Sequence, residues 1–283
     1  MIDTHAHLCP PHFDESRVPE LVQEAIDRGV SHIVGVSENL EEASWLLNSS
    51  IPGLECAVGL HPVYVSRLSM EEVHSELESM RDLIRLNGEK IIAIGEVGLD
   101  FTPMTVGFPL KPGKEQLPHR TYRAESEIAA IKEVQLVAFR ETLKIANEFD
   151  LPCTIHSRNA EKYVIQILRE VKPRNHSIVL HAFSGKVAVA VSALDLGVYF
   201  SIPPSIVRSA ELQELVKNLP VERLLLESDS PALAPVAGET NVPANLRLVV
   251  EEISKVKGLG MEDVQKITIE NSKRVFKTLL SSN

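Results

Sequence analysis

Apolar and polar positions follow two different patterns along this chain. Short runs rich in Val, Ile and Leu recur between longer segments in which apolar residues return every three or four positions. The short runs are typical of buried strands, and the longer segments are typical of amphipathic helices. Because the two kinds of segment alternate from end to end, the sequence predicts β-α units around a parallel sheet.

The number of these segments predicts the architecture. Strands are predicted at residues 1–6, 31–36, 54–60, 90–96, 151–156, 177–181, 197–202 and 223–228. Helices are predicted at residues 17–29, 39–48, 69–87, 125–149, 159–171, 186–194, 208–217 and 244–256, and a further helical stretch at 261–280 is expected to pack on them. Eight units of this kind predict an α/β protein with a single (β/α)8 TIM barrel. We find no linker or repeat, so we expect residues 1–283 to form one domain.

One connection is longer than the others. Residues 102–123 follow the fourth predicted strand and contain Pro103, Pro109, Pro112 and Pro118. Loops that follow barrel strands lie on the face where active sites occur. The sequence therefore predicts an inserted loop over the active site, with a surface or oligomer-contact loop as the alternative.

Composition limits the function classes. The 283 residues carry 29 Lys and Arg against 39 Asp and Glu, and this net charge of -10 argues against broad electrostatic adhesion to nucleic acid. A nucleic-acid enzyme that grips one strand end needs only a local cationic site. Three cysteines without a CxxC pair predict neither a disulfide framework nor a thiolate zinc site. With no leader-like segment and no apolar run of roughly 18 residues, we expect a cytoplasmic protein without a membrane partner.

Six side chains with metal-binding chemistry fall at the carboxyl ends of predicted strands. Singly, a strand-end histidine is often a core residue, Glu96 suits an Arg pair and Asp229 suits a turn cap. In a barrel, however, all these strand ends converge on one rim. Four imidazoles and two carboxylates suit two divalent ions, Zn²⁺, Mn²⁺ or Mg²⁺, about 3.5–4 Å apart. The predicted metal ligands are His5, His7, Glu96, His156, His181 and Asp229.

Three further residues have two interpretations each. His61 in GLHP either contacts the substrate phosphate or leaving group, or packs beside Pro62. Arg158 in HSR is either a bidentate phosphate clamp or a solvated loop residue. Asp100 favours a turn over a ligand role. The chain has no GxSxG, GxxxxGK[ST] or GxGxxG motif, so serine-hydrolase, nucleoside-triphosphate and dinucleotide chemistry are not indicated.

The motifs THAHL, VGLHP, GEVGLD, IHSR, LHAFSG and ESDSP, in this order, resemble those of TatD-type deoxyribonucleases in the amidohydrolase superfamily. The resemblance implies that His5, His7, Glu96 and Asp229 hold one metal. It implies that the bridging Glu96, with His156 and His181, holds the other. It further implies that Asp229 orients the attacking water, that Asp229, Glu96 and His61 are catalytic, and that the enzyme hydrolyses single-stranded DNA or strand ends exonucleolytically.

Two departures from the family pattern leave the substrate open. Residues 102–123 intervene after GLD, and the family's basic RNEP-like stretch appears here as GETNVPANL. Asn241 survives from that stretch and is expected to bind substrate, whereas Glu239 and Thr240 replace its basic residue. One alternative is a metal-dependent esterase or amidohydrolase for a lactone or an aminoacyl-tRNA ester. The other is a non-catalytic, metal-stabilised scaffold.

Overall fold

The computed structural model describes residues 1–110, 117–172 and 177–277. Eight strands lie in one sheet in chain order, and each is parallel to its neighbours. They are β1 (Ile2–Ala6), β2 (His32–Val36), β3 (Leu54–Val58), β4 (Ile91–Asp100), β5 (Cys153–Arg158), β6 (Ile178–Leu180), β7 (Tyr199–Ile202) and β8 (Leu224–Leu226). Helices connect successive strands, so the sheet forms a nearly closed barrel and the predicted (β/α)8 fold is confirmed.

The helices of the described residues bury apolar faces against the sheet. They are α1 (Val18–Asp27), α2 (Leu40–Ser49), α3 (Met70–Asn87), α4 (Glu125–Phe149), α5 (Glu161–Val171), α6 (Val187–Ala193), α7 (Ala210–Asn218), α8 (Leu246–Lys257) and α9 (Met261–Val275). The side chain of Asn39 caps α2, and Ser69 with Glu72 forms a capping box on α3. In α9, Asn271 donates hydrogen bonds to the carbonyls of Val221 and Leu224, which ties this last helix to the start of β8. Residues 278–280 of the predicted helix lie outside the described residues.

The fourth strand differs most from its prediction. It continues to Asp100 instead of ending at Glu96, and its register shifts between Ile94 and Val97. The shift lets the second half of β4 pair with β5 as far as Arg158. As a result, Glu96 lies inside a strand and Asp100 ends it.

The insertion after β4 has some regular structure. One helical turn spans Pro103–Val106, and the two-residue strands Phe108–Pro109 and Tyr122–Arg123 pair in parallel. The guanidinium carbon of Arg120 lies 4.5 Å from the centre of the Phe108 ring. Residues 111–116 lie outside the described part of the chain, so the position of the loop over the active site stays a prediction.

Hydrogen bonds join the last strand to the first. Thr4 Oγ1 donates to the carbonyl of Leu226 at 2.9 Å, and the amide of Ser228 donates to Asp3 Oδ1 at 2.8 Å. Just beyond, the amide of Asp229 donates to the carbonyl of His5 at 2.9 Å. These bonds carry the segment after β8 alongside β1. None of the helices in the described ranges is long and apolar enough to cross a bilayer.

Candidate metal centre

The structure brings all six predicted ligands together at the carboxyl end of the barrel, where each is buried. His5 and His7 lie on and just after β1. Because side chains two apart on a strand share a face, their rings point the same way. Their Nε2 atoms lie 3.4 Å apart. Each of these nitrogens is 3.3 Å from the same oxygen, Oε2 of Glu96.

Glu96 lies between two sets of imidazoles. While Oε2 faces His5 and His7, Oε1 lies 2.6 Å from Nδ1 of His156 and 3.6 Å from Nε2 of His181. A Cβ atom at Gly59 would lie 2.4 Å from the Glu96 amide nitrogen, so this close approach of β3 to β4 requires glycine. Burial favours a raised pKa for Glu96, but the surrounding imidazoles outweigh it and hold the pKa well below its usual value.

Asp229 closes the other side of the centre. Its Oδ1 lies 3.6 Å from Nε2 of His7, 3.7 Å from Nε2 of His5 and 3.9 Å from Nε2 of His181. Its backbone is in the left-handed region at a φ of 54°, a conformation held by the amide bond to His5. Burial raises the pKa of Asp229 to about 6 despite the nearby imidazoles of His181 and His7.

Sequence reasoning missed Glu227, a fully buried carboxylate behind His181. Its Oε2 accepts a hydrogen bond from His181 Nδ1 at 2.8 Å and one from the Ser201 hydroxyl, while Oε1 accepts from the amide of Ala182 at 3.0 Å. Burial alone would lower the pKa of His181, but Glu227 and then Glu96 and Asp229 outweigh it and raise the pKa to about 10. This fixes the proton on Nδ1 and leaves Nε2 facing the centre, as in carboxylate–histidine pairs that support metals. The only sequence signal was an acidic residue two positions before Asp229.

His156 has a similar neighbour. Its Nε2 lies 3.4 Å from Oδ2 of Asp100, the last residue of β4. The other oxygen of Asp100 accepts from the amide and hydroxyl of Thr102 at 2.8 and 2.6 Å, so this aspartate also shapes the turn after the strand. Burial works to raise the pKa of Asp100, yet the bonds from His156 and Thr102 hold it well below its usual value.

His61 also reaches the centre. Its Nε2 lies 3.6 Å from Oε1 of Glu96 and 3.4 Å from Nδ1 of His156. Its Nδ1 accepts a hydrogen bond from the amide of Val63 at 3.1 Å, which places the proton of the neutral ring on Nε2. In this orientation His61 presents a hydrogen-bond donor to the centre.

The donor set fits divalent metal ions. Buried ring nitrogens of His5, His7 and His156 have no hydrogen-bond partner among the described residues. Three ligand-type groups lie within 4.8 Å internally: His5, His7 and Asp229; His61, Glu96 and His156; His5, His181 and Glu227. Buried carboxylates packed at this density require compensating positive charge, which imidazole nitrogen and carboxylate oxygen can share around Zn²⁺ or Mn²⁺.

Arg158 lies at the exposed end of β5, on the wall of a cavity beside the centre. The cavity has a volume of about 340 Å³ and is also lined by Phe183, Ser205 and Arg208. Arg208 donates from Nε to the carbonyl of Ala234 at 3.1 Å, which anchors its guanidinium group. Sequence reasoning missed this second arginine because it lies in the connection after β7, far from Arg158 along the chain.

Asn241 differs from its predicted role. It is fully buried, its Nδ2 donates to the carbonyl of Ser228 at 2.5 Å, and its Oδ1 accepts from Asn245 at 2.9 Å. Both polar atoms of the side chain are therefore used within the protein. Instead of contacting substrate, Asn241 holds the backbone next to Asp229.

Comparisons with known proteins agree with the barrel and its centre. A profile of the family described as TatD related DNase matches residues 2–277. The human protein named deoxyribonuclease TATDN3 is 34% identical over 99% of this chain and 95% of its own length. A Bacillus subtilis protein named uncharacterized metal-dependent hydrolase YabD is 29% identical over 98% of this chain and 99% of its own. The crystal structure of YJJV, a TatD homologue from Escherichia coli, superimposes with a TM-score of 0.80 at 24% identity over 98% of both chains.

The protein is a metal-dependent hydrolase that acts on ester bonds. Within that class, the chain belongs to the TatD related DNase family.

Proposed function

We propose that the protein hydrolyses phosphodiester bonds of DNA, working from a strand end with a metal-activated water. The observation that carries this proposal is the position of Glu96, whose two oxygens face different imidazole sets. A carboxylate in that position suits two cations, the arrangement common in enzymes that cleave phosphate esters. His5, His7, Glu96 and Asp229 would hold one ion, and Glu96, His156 and His181 the other.

When bound, such ions polarise a phosphoryl oxygen and lower the pKa of water towards about 7. The protein supplies the proton transfers. Asp229, whose pKa is raised by burial, accepts a proton at Oδ1 from the attacking water. His61 donates a hydrogen bond from Nε2 to the departing oxygen, because its Nδ1 is held by the Val63 amide.

The cavity beside the centre suits the substrate backbone. Arg158 and Arg208 line it, and guanidinium groups match phosphate oxygens in charge and geometry. Two cations in one cavity supply the local positive site that a chain of net charge -10 otherwise lacks. This favours a phosphodiester over the neutral lactone considered from the sequence.

A substrate panel tests the proposal. Purified protein with Mg²⁺, Mn²⁺ or Zn²⁺ is incubated with end-labelled linear single-stranded DNA, circular single-stranded DNA, RNA and p-nitrophenyl esters. We expect linear DNA to shorten by single nucleotides and circular DNA to persist, since a circle has no end. Hydrolysis of the p-nitrophenyl esters with no cleavage of any nucleic acid would contradict the proposal and favour an esterase.

The Asp229→Asn variant separates this activity from a contaminating nuclease. The change keeps the size of the side chain and removes its capacity to accept a proton. We expect the rate to fall about 10²–10⁴-fold, the range for loss of a general base. An equal rate in the variant would exclude Asp229 as the proton acceptor.

A further inference from the structure

A second group of ligand-type side chains lies beside the metal centre. It consists of His12, in the connection after β1, and of Glu38 and Glu42, before and within α2. We call these three residues the outer cluster. His12 also adjoins the inner centre, because its ring centre lies 4.9 Å from that of His7. None of the outer-cluster residues belongs to the six ligands described above.

The distances within the outer cluster are too long for hydrogen bonds. Nε2 of His12 lies 3.7 Å from Oε2 of Glu42 and 4.0 Å from Oε1 of Glu38. Ligands of a tetrahedral ion with bonds of about 2.0–2.2 Å are separated by about 3.3–3.6 Å. A shift of a few tenths of an ångström would therefore bring the three atoms around one cation.

Glu42 is held in place for such a role. Its side chain is buried, Oε2 accepts from the amide of Glu38 at 2.8 Å, and Oε1 accepts from Asn39 Nδ2 at 2.9 Å. Each oxygen keeps further lone-pair capacity after one such bond. Among the ion pairs of the described residues, the only cationic partner of Glu38 and Glu42 is His12.

Two unpaired nitrogens form the independent observation. Nε2 of His12 is screened from solvent and has no hydrogen-bond partner among the described residues, and the same holds for Nδ1 of His7. His7 is 7% exposed, so its unpaired nitrogen is deeply buried. The ligand atoms of His7, His12 and Glu38 lie within 4.8 Å of one another. Unpaired buried nitrogens beside two carboxylates are the donor environment of a metal ion.

The neighbouring cysteine does not complete a thiolate site. Cys9 Sγ lies 3.8 Å from Oε2 of Glu42, and the ligand atoms of Cys9, His12 and Glu42 also form a compact group. Burial, with the negative charges of Glu42 and Glu38, raises the pKa of the Cys9 thiol far above its usual value. A thiol in this state is a poor ligand. The remaining donors are one imidazole and two carboxylates.

We propose that His12, Glu38 and Glu42 bind a third divalent cation, Zn²⁺ or Mn²⁺, with water completing its coordination. This site is independent of the proposed DNA substrate. It lies at a pocket of about 510 Å³ that Glu38, Glu42, Trp45 and Arg67 help to line. A cation there neutralises two carboxylates that would otherwise repel an anionic substrate next to the inner centre.

Metal stoichiometry tests the site. Full-length protein is loaded with Zn²⁺, desalted and measured for zinc per chain by mass spectrometry. We expect His12→Ala to bind one ion fewer than the wild type. The matched control is His32→Ala, because Nδ1 of His32 lies 3.4 Å from Glu55 in a half-buried pair at the opposite end of the barrel. The control should keep the wild-type number.

Two more measurements keep the test independent of the inner centre. Glu38→Gln removes a partly exposed charge without removing volume, and it should weaken binding of the weakest ion at least tenfold in a zinc titration. Crystals of the wild type soaked in Mn²⁺ should show an anomalous peak about 2.0–2.3 Å from Nε2 of His12. Wild-type stoichiometry in His12→Ala would overturn the proposal, as would anomalous peaks at the inner centre with none at His12. If only the inner ions were lost in Glu96→Ala, the outer site would stand even where the proposed nuclease activity failed.

Discussion

Glu227 provides a sharp test of how the protein orients its candidate ligands. We consider Glu227→Gln, which keeps the shape of a fully buried side chain and removes its charge. The carboxylate accepts from three donors: His181 Nδ1 and the Ser201 hydroxyl at Oε2, and the Ala182 amide at Oε1. A glutamine has one acceptor oxygen, and its nitrogen can only donate. Either orientation of the amide therefore sets a donor against a donor.

The structure allows the cost to be worked out. If the amide oxygen takes the position of Oε2, it satisfies His181 and leaves the buried Ala182 amide facing an N–H group. An unsatisfied buried donor costs about 1–3 kcal/mol. If the amide is turned the other way, the amide nitrogen faces His181 Nδ1 and disfavours the tautomer that leaves Nε2 free for a metal. Loss of such a supporting partner typically weakens metal binding about 10–100-fold.

The assay is competition with a chromogenic zinc chelator, alongside urea denaturation of the metal-free protein. Glu55→Gln is the matched control, because it makes the same change in the half-buried pair with His32 at the other end of the barrel. We expect weaker zinc binding only in Glu227→Gln and a lower free energy of unfolding than in the control. Zinc affinity within twofold of the wild type would refute the role assigned to Glu227.

Three other predictions concern the ions, the cavity and the thiols. Removing metal with EDTA should lower the melting temperature, because buried Glu96, Asp229 and Glu227 lose compensating charge, and Mn²⁺ should restore it; a melting temperature unaffected by EDTA would argue against a metal centre. Arg158→Ala should raise KM for single-stranded DNA about tenfold with unchanged metal content, whereas an unchanged KM would make Arg158 a solvated residue. Burial raises the pKa of the Cys56 and Cys153 thiols to about 12, so both should resist iodoacetamide at pH 9 until the protein unfolds, as mass spectrometry can check. Since unfolded thiols ionise near pH 8.5, this stabilisation is complete below that pH and is lost as the pH rises towards 12, by up to about 1.4 kcal/mol per pH unit for each thiol.

The fold was predictable because its signal is repeated. Each β-α unit carries its own apolar strand and amphipathic helix, and errors of one to four residues at the strand ends leave the count of eight unchanged. The convergence of the six candidate ligands follows from the same property, since the carboxyl ends of parallel strands share one face. His5 and Glu96, 91 positions apart in the numbering, thus lie 3.3 Å apart in the folded chain.

Residues whose role depends on a partner from another element were harder to predict. Glu227 acts on His181 across two strands, and nothing near it in the sequence marks that contact. Asn241 looked like a substrate contact because it survives from a basic motif, but its burial and its bond to Ser228 depend on how the chain folds back after β8. Periodicity shows which face a residue occupies; it does not show which distant atom that residue meets.

Closure of the barrel and construction of the centre depend on the same short segment. The residues after β8 bond to β1 through Ser228 and Asp229, and Asn241 fixes this segment from behind. His5 contributes a ring to the centre and a carbonyl to the closure. A substitution that loosens this seam should therefore displace Asp229 and His5 together, because the hydrogen bonds that close the sheet also set the spacing of these two side chains. We infer that stability and catalysis are coupled most tightly here, and more loosely at the ends of β5 and β6, which do not take part in the closure.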